Sequence, residues 1–77
     1  MKWQEYITVN PDVCHGQACL KNTRIPVSVV LDNLATGMTY DEILKSYPSL
    51  TADYIKAVLV YAADIARERI IKTALVE

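Results

Sequence analysis

Seventy-seven residues with eight basic and nine acidic side chains make one domain of net charge −1, which excludes any general electrostatic pull toward nucleic acid. A chain this short buries only roughly 60–65% of the surface its unfolded form exposes. Yet 52% of the residues are hydrophobic, so surplus apolar surface is expected to pass into a partner or a homo-oligomer, a dimer first. No signal-peptide pattern opens the chain and no apolar run is long enough for a bilayer, so a cytoplasmic protein with no membrane contact is expected.

Tyr6-Ile7-Thr8-Val9 is aromatic and β-branched, and predicts a short strand ended by Asn10-Pro11-Asp12. The next segment, Cys14 to Val27, holds both cysteines, the only histidine and one of two glycines. Its apolar runs, Ala18 to Leu20 and Ile25 to Val27, flank Lys21-Asn22-Thr23-Arg24. Asn tolerates positive φ, so Asn22 predicts the left-handed position of a tight β-hairpin. The same segment invites a metal reading. Structural zinc takes four ligands in closely spaced pairs, and Cys14, His15 and Cys19 supply three at most. A Cys14–Cys19 disulfide would close a very short loop. Two small buried thiols beside a turn are therefore expected, with no metal and no cofactor.

Pro26 fixes φ ahead of Ser28–Thr36, where Val30, Leu31 and Leu34 recur at helical spacing and Gly37 stands at the C′ position. Ser28 is the predicted N-cap. Thr39-Tyr40-Asp41-Glu42 reads as a capping box opening a second helix to Lys45 or Ser46, which ends before Pro48. Thr51 is then expected to cap a third helix from Ala52 to about Glu68. Its predicted apolar face is Tyr54, Ile55, Val58, Leu59, Tyr61, Ala62 and Ile65; the opposite stripe is Lys56, Val60, Ala63 and Arg67.

Helix, short turn and helix is the arrangement of a helix-turn-helix, whose second helix reads bases with Arg, Lys, Asn or Gln. Here that helix offers Lys56 beside a repelling Asp53, and as a base reader it is poor. Residues 1–38 carry three basic and three acidic groups, and 39–66 two against four. Residues 67–77 carry three (Arg67, Arg69, Lys72) against two. A DNA surface would thus rest on Lys21, Arg24 and Lys56, supplemented at the ends by Lys2 and the 67–72 segment. Arg24 can grip phosphate or a partner carboxylate, or pin the hairpin by pairing with Asp12 or Asp32, and the structural role is preferred. No nucleophile–base–acid set and no phosphate-binding glycine loop is present, so no enzyme activity is expected.

Two motifs carry a family resemblance. Cys14-His15-Gly16-Gln17 with Asn22-Thr23-Arg24-Ile25-Pro26-Val27 resembles a Gly-Thr-Arg-Ile-Pro-Val signature. Thr39-Tyr40-Asp41-Glu42-Ile43-Leu44 with Tyr47-Pro48-Ser49-Leu50-Thr51 resembles a helix ending in Tyr-Pro-x-Leu-Thr. Both, in this order, resemble the domain of unknown function 433 family, which has VapB-like antitoxins among its members. Asn22 departs from the usual Gly but supports the same turn.

The resemblance covers residues 5 to about 68 and implies a mainly α fold, a small three-helix, homeodomain-like helix-turn-helix domain with a short N-terminal strand and β-hairpin; the length of the chain makes 1–77 a single domain. The resemblance also implies an antitoxin that binds and silences a PIN-like ribonuclease toxin and regulates its own operator DNA. Such nucleases gather acidic residues around metal ions, so a cationic segment is the expected inhibitor. Arg67, Arg69 and Lys72, with the apolar anchors Ile70, Ile71 and Leu75, make 67–77 the expected partner-binding tail. The alternative is a stand-alone oligomeric adaptor with neither toxin nor DNA.

Overall fold

The computed structural model describes residues 1–10, 12 and 16–76, the side chains of 68–76 excepted. A 3₁₀ turn, Trp3–Glu5, leads into β1 (Ile7–Thr8); β2 is Cys19–Leu20, and the helices are α1 (Val27–Ala35), α2 (Tyr40–Ser46) and α3 (Ala52–Val76). The chain is therefore mainly helical, three helices with a two-stranded antiparallel sheet, as the sequence predicts.

The sheet is built differently from the expected hairpin. Ile7 stands opposite Leu20 and Thr8 opposite Cys19, so β2 pairs chiefly with the first strand. The run Ile25–Val27 joins only through an isolated bridge, Cys19 to Pro26. Proline has no N–H to donate, so a regular ladder cannot extend through Pro26. The turn itself is as predicted, with Asn22 at φ 63°. β1 is shorter than 6–9 because Tyr6 closes the 3₁₀ turn, its N–H donating to the Trp3 carbonyl at 2.9 Å.

Helix α1 starts one residue before the predicted cap. Pro26 occupies the N-cap position without a side-chain bond, and Ser28 lies inside the first turn. The Val27 N–H, one of the four donors a helix start leaves over, reaches the Ala18 carbonyl at 2.9 Å. The sheet thus does what a capping hydroxyl would do. At its other end, Gly37 (φ 94°) and Met38 donate to the Leu34 and Asn33 carbonyls at 3.0 and 3.2 Å, a Schellman closure.

The capping box of α2 forms as predicted. The Glu42 N–H donates to Thr39 Oγ1 at 3.2 Å, and the Thr39 N–H donates to Glu42 Oε1 at 2.9 Å. Those bonds hold the Glu42 carboxyl below its ordinary 4.5, the backbone bond being the larger cause. The helix stops at Tyr47 (ψ 79°), the residue before Pro48, and Leu50 folds inward.

Ile7, Leu20, Val27, Val30, Ile43, Leu50, Ile55, Ala57 and Val58 form the core among the described residues, drawn from both strands, all three α-helices and the turn before α3. No polar or charged side chain is buried among the described residues. The predicted face of α3 differs from the observed one at two positions. Ile55 and Val58 are fully buried, but Leu59 is 40% exposed, and Ala57 takes an unexpected place in the core. One residue turns a helix by about 100°, which carries Leu59 off the face that Val58 buries. Helix α3 also runs to Val76, eight residues beyond its predicted end at Glu68.

Cys19 also departs from expectation. It is disulfide-bonded rather than a buried thiol. Its Sγ lies 3.3 Å from the Ile25 carbonyl and 3.6 Å from that of Thr23, as a contact, because a disulfide sulfur has no proton to donate. Cys14, the chain's other cysteine, and His15 lie outside the described residues.

Candidate nucleic-acid and partner interface

The turn that carries Lys21 and Arg24 is fixed from within. Thr23 Oγ1 donates to the Leu20 carbonyl at 2.7 Å and accepts from the Ile25 N–H at 3.1 Å, so one hydroxyl bridges both sides of the loop. The Leu20 N–H reaches the Ile25 carbonyl at 3.0 Å. Lys21 is tied to the body by its backbone: its N–H donates to Tyr6 at 2.8 Å, and its carbonyl accepts from Tyr54 Oη at 3.1 Å. The Tyr6 and Tyr54 rings meet edge to face, centroids 5.4 Å apart. The Lys21 side chain is half-buried and that of Arg24 is exposed.

The expected pairing of Arg24 with Asp12 or Asp32 is absent. Among the described residues the ion pair is Arg67 with Asp64, one turn apart on α3. Arg24 therefore presents its guanidinium to solvent from a turn whose rigidity comes from Thr23 and Tyr54. The Thr23 latch was findable, since Thr after a left-handed Asn is turn chemistry.

The three basic candidates do not make one patch. Tyr54 sits over the turn, and Lys56 lies about 200° further round α3, on the side away from Tyr54. Lys21 and Arg24 can thus share a surface while Lys56 stands apart. Asp53, in the first turn of α3, is exposed on the Lys56 side.

Of the expected partner-binding residues, Arg67 is exposed and held by Asp64. Asp64 also accepts from Trp3 Nε1 at 3.0 Å, and Trp3 stacks edge-on to Tyr61 at 4.8 Å. The N-terminal turn thereby braces α3, a contact between residues 61 apart that no local signal announces. The side chains of Arg69, Ile70, Ile71, Lys72 and Leu75 lie outside the described residues, although the helix runs through all five positions.

An open, mainly apolar cleft lies between the segment just before β2, α1 and α3, lined among the described residues by Gln17, Ala18, Val27, Ser28, Leu31 and Tyr61, none of them charged. Among the described residues no three His, Cys, Asp or Glu side chains converge, and no helix is long and apolar enough to cross a membrane.

Comparison with known proteins agrees with the fold. The chain is similar to a DUF433 member protein from Anabaena variabilis ATCC 29413 whose crystal structure is known at 2.00 Å resolution. That likeness has a TM-score of 0.76 at 35% identity, over 92% of this chain and 70% of the other. It is also similar to the uncharacterized protein y4eO of Sinorhizobium fredii (strain NBRC 101917 / NGR234), 34% identical over 59 residues. Those residues are 77% of this chain but 27% of that relative, so the chain spans about a quarter of its length. The model of the family described as "Protein of unknown function (DUF433)" matches residues 7–62, from the first strand into the middle of α3. The chain belongs to the DUF433 family.

Proposed function

We propose that this chain is an antitoxin-like binding protein, without catalysis of its own, that silences a PIN-like ribonuclease through its C-terminal segment. The observation that carries this reading is the length of α3. The family match ends at residue 62, yet the helix continues to Val76. Over 25 residues it is about 37 Å long, against a longest molecular dimension of 44 Å. The sequence of that extension, Arg67, Arg69 and Lys72 among Ile70, Ile71 and Leu75, combines cations for an acidic metal site with apolar anchors. Operator binding is the weaker half of the proposal. It is supported by Lys21 and exposed Arg24 on a rigid turn, and Lys56 belongs to a different side of the domain.

The test is co-expression with the adjacent reading frame, scored by growth and co-purification. The expected result is arrest by the neighbour alone, with rescue and co-elution when the full chain is present. A chain ending at Glu68 is expected to lose rescue; if it still binds tightly, the tail is not the inhibitor. For DNA, Arg24→Ala is expected to melt normally and to lose promoter binding in a mobility-shift assay.

A second reading has its own support. The chain matches only 27% of the Sinorhizobium relative, so in that protein the matching domain is a module within a longer chain. An adaptor role follows if the neighbour is harmless and nothing co-elutes.

A further inference from the structure

Helix α3 has a side that its own domain does not cover. Asp53, Lys56, Ala63 and Arg67 on that side are exposed, and Val60 at its centre is half-buried. The charges on this stripe follow a symmetry. Asp53 stands seven residues before Val60 and Arg67 seven after; Lys56 stands four before and Asp64 four after.

We propose that this face of α3 pairs with the same face of a second copy, antiparallel, with the two-fold axis at Val60. In that arrangement each residue meets the one equally far beyond the axis. Asp53 then faces the partner's Arg67, and Lys56 faces the partner's Asp64, and the two-fold axis makes each pair twice. A parallel in-register pair would set every charge against its own kind. Moving the axis to Ala63 would place Arg67 against Leu59 and lose both pairings.

The packing suits a close approach. Val60 meets its own copy on the axis, Ala63 is small enough for helix axes about 8 Å apart, and the aliphatic stems of Lys56 and Arg67 close over the seam. Leu59, 40% exposed, lies at the rim. Asp64 already serves Trp3 and Arg67 of its own chain, and a carboxylate's roughly four acceptor positions leave room for a lysine. Exposed ion pairs contribute little affinity, so the charges fix orientation and register while the apolar seam holds the pair. This pairing does not depend on the antitoxin reading. Past residue 68 each α3 outruns the helix it pairs with, leaving the two tails at opposite ends of the dimer.

An interface this narrow gives concentration-dependent association, so the experiment is sedimentation equilibrium of the full chain from about 1 to 500 µM. The mass is expected to rise from 8.6 kDa toward twice that value. Val60→Glu, which sets two carboxylates on the axis, is expected to weaken dimerisation at least ~10-fold. Asp53→Arg and Arg67→Asp are each expected to weaken it, and the double swap D53R/R67D to recover it relative to R67D alone. Circular dichroism checks that each variant is folded; Ala63→Glu, at an exposed position, repeats the axis test should Val60→Glu unfold. A constant 8.6 kDa species overturns the proposal, as does a dimer indifferent to both glutamates. A charge swap without recovery overturns the register.

Discussion

Helix α2 begins on a capping box closed within four residues, Thr39 to Glu42, whereas α1 begins at Pro26 with no side-chain cap, its first N–H donating across the fold to Ala18. Both helix starts satisfy the same orphan donors. One does so with chemistry written in adjacent residues, the other with a carbonyl that arrives only when the sheet has formed. The domain is thus modular at one helix start and cooperative at the other. Helix α2 carries its own start, while α1 depends on β2 being in place.

The largest effect is expected at β2. Leu20 is fully buried opposite Ile7, so Leu20→Ala is expected to cost about 3 kcal/mol in urea unfolding. Its imprint should be regional: amide exchange should accelerate first in α1, because the Ala18 carbonyl loses its position, and later in α2. A smaller blow to the same region is reduction of the disulfide at Cys19. Treatment with a phosphine reductant is expected to remove about 2 kcal/mol and lower the midpoint of thermal unfolding, with exchange again faster in α1 than in α2. Equal acceleration in both helices would contradict the claimed dependence.

On the other side of the comparison, Thr39→Ala removes the reciprocal cap and is expected to cost about 1 kcal/mol, with fraying confined to α2. Acid sharpens this. The folded carboxyl of Glu42 lies below its ordinary 4.5, so its contribution is fully present above that pH and is lost as the pH falls through the lowered folded value. The acid branch of the stability profile should therefore flatten in Thr39→Ala relative to the parent. The smallest effect is expected at Ser28. It sits in the first turn of α1 without capping it, so Ser28→Ala should change stability by under ~0.5 kcal/mol. A loss near that of Thr39→Ala would restore Ser28 as the cap.

Much of the interface was legible for the same local reason. The left-handed Asn22 and the exposed Arg24 beside it follow from a polar turn between two apolar runs. What holds that turn against α3, the Tyr54 hydroxyl on the Lys21 carbonyl, joins residues 33 apart and has no sequence signature. Lys56 and Arg24 looked like parts of one basic surface when read as a list of cations. The rotation of α3, set by Ile55, Ala57 and Val58 seeking the core, turns Lys56 away. That same rotation exposes Leu59 and leaves the charge-symmetric stripe about Val60 uncovered.

Elements whose causes are local follow from neighbouring residues alone. The capping box of α2, the proline stop at Tyr47, the glycine closure at Gly37 and the Asn22 turn each depend on residues within one turn of chain. Hydrogen bonds of that range form with little loop entropy, so composition and spacing suffice to announce them. The strand that β2 joins, the capping of α1, the buried face of α3 and the link from Trp3 through Asp64 to Arg67 arise when the chain packs as a whole. Those choices are settled by burying one shared core, and no segment carries that information alone.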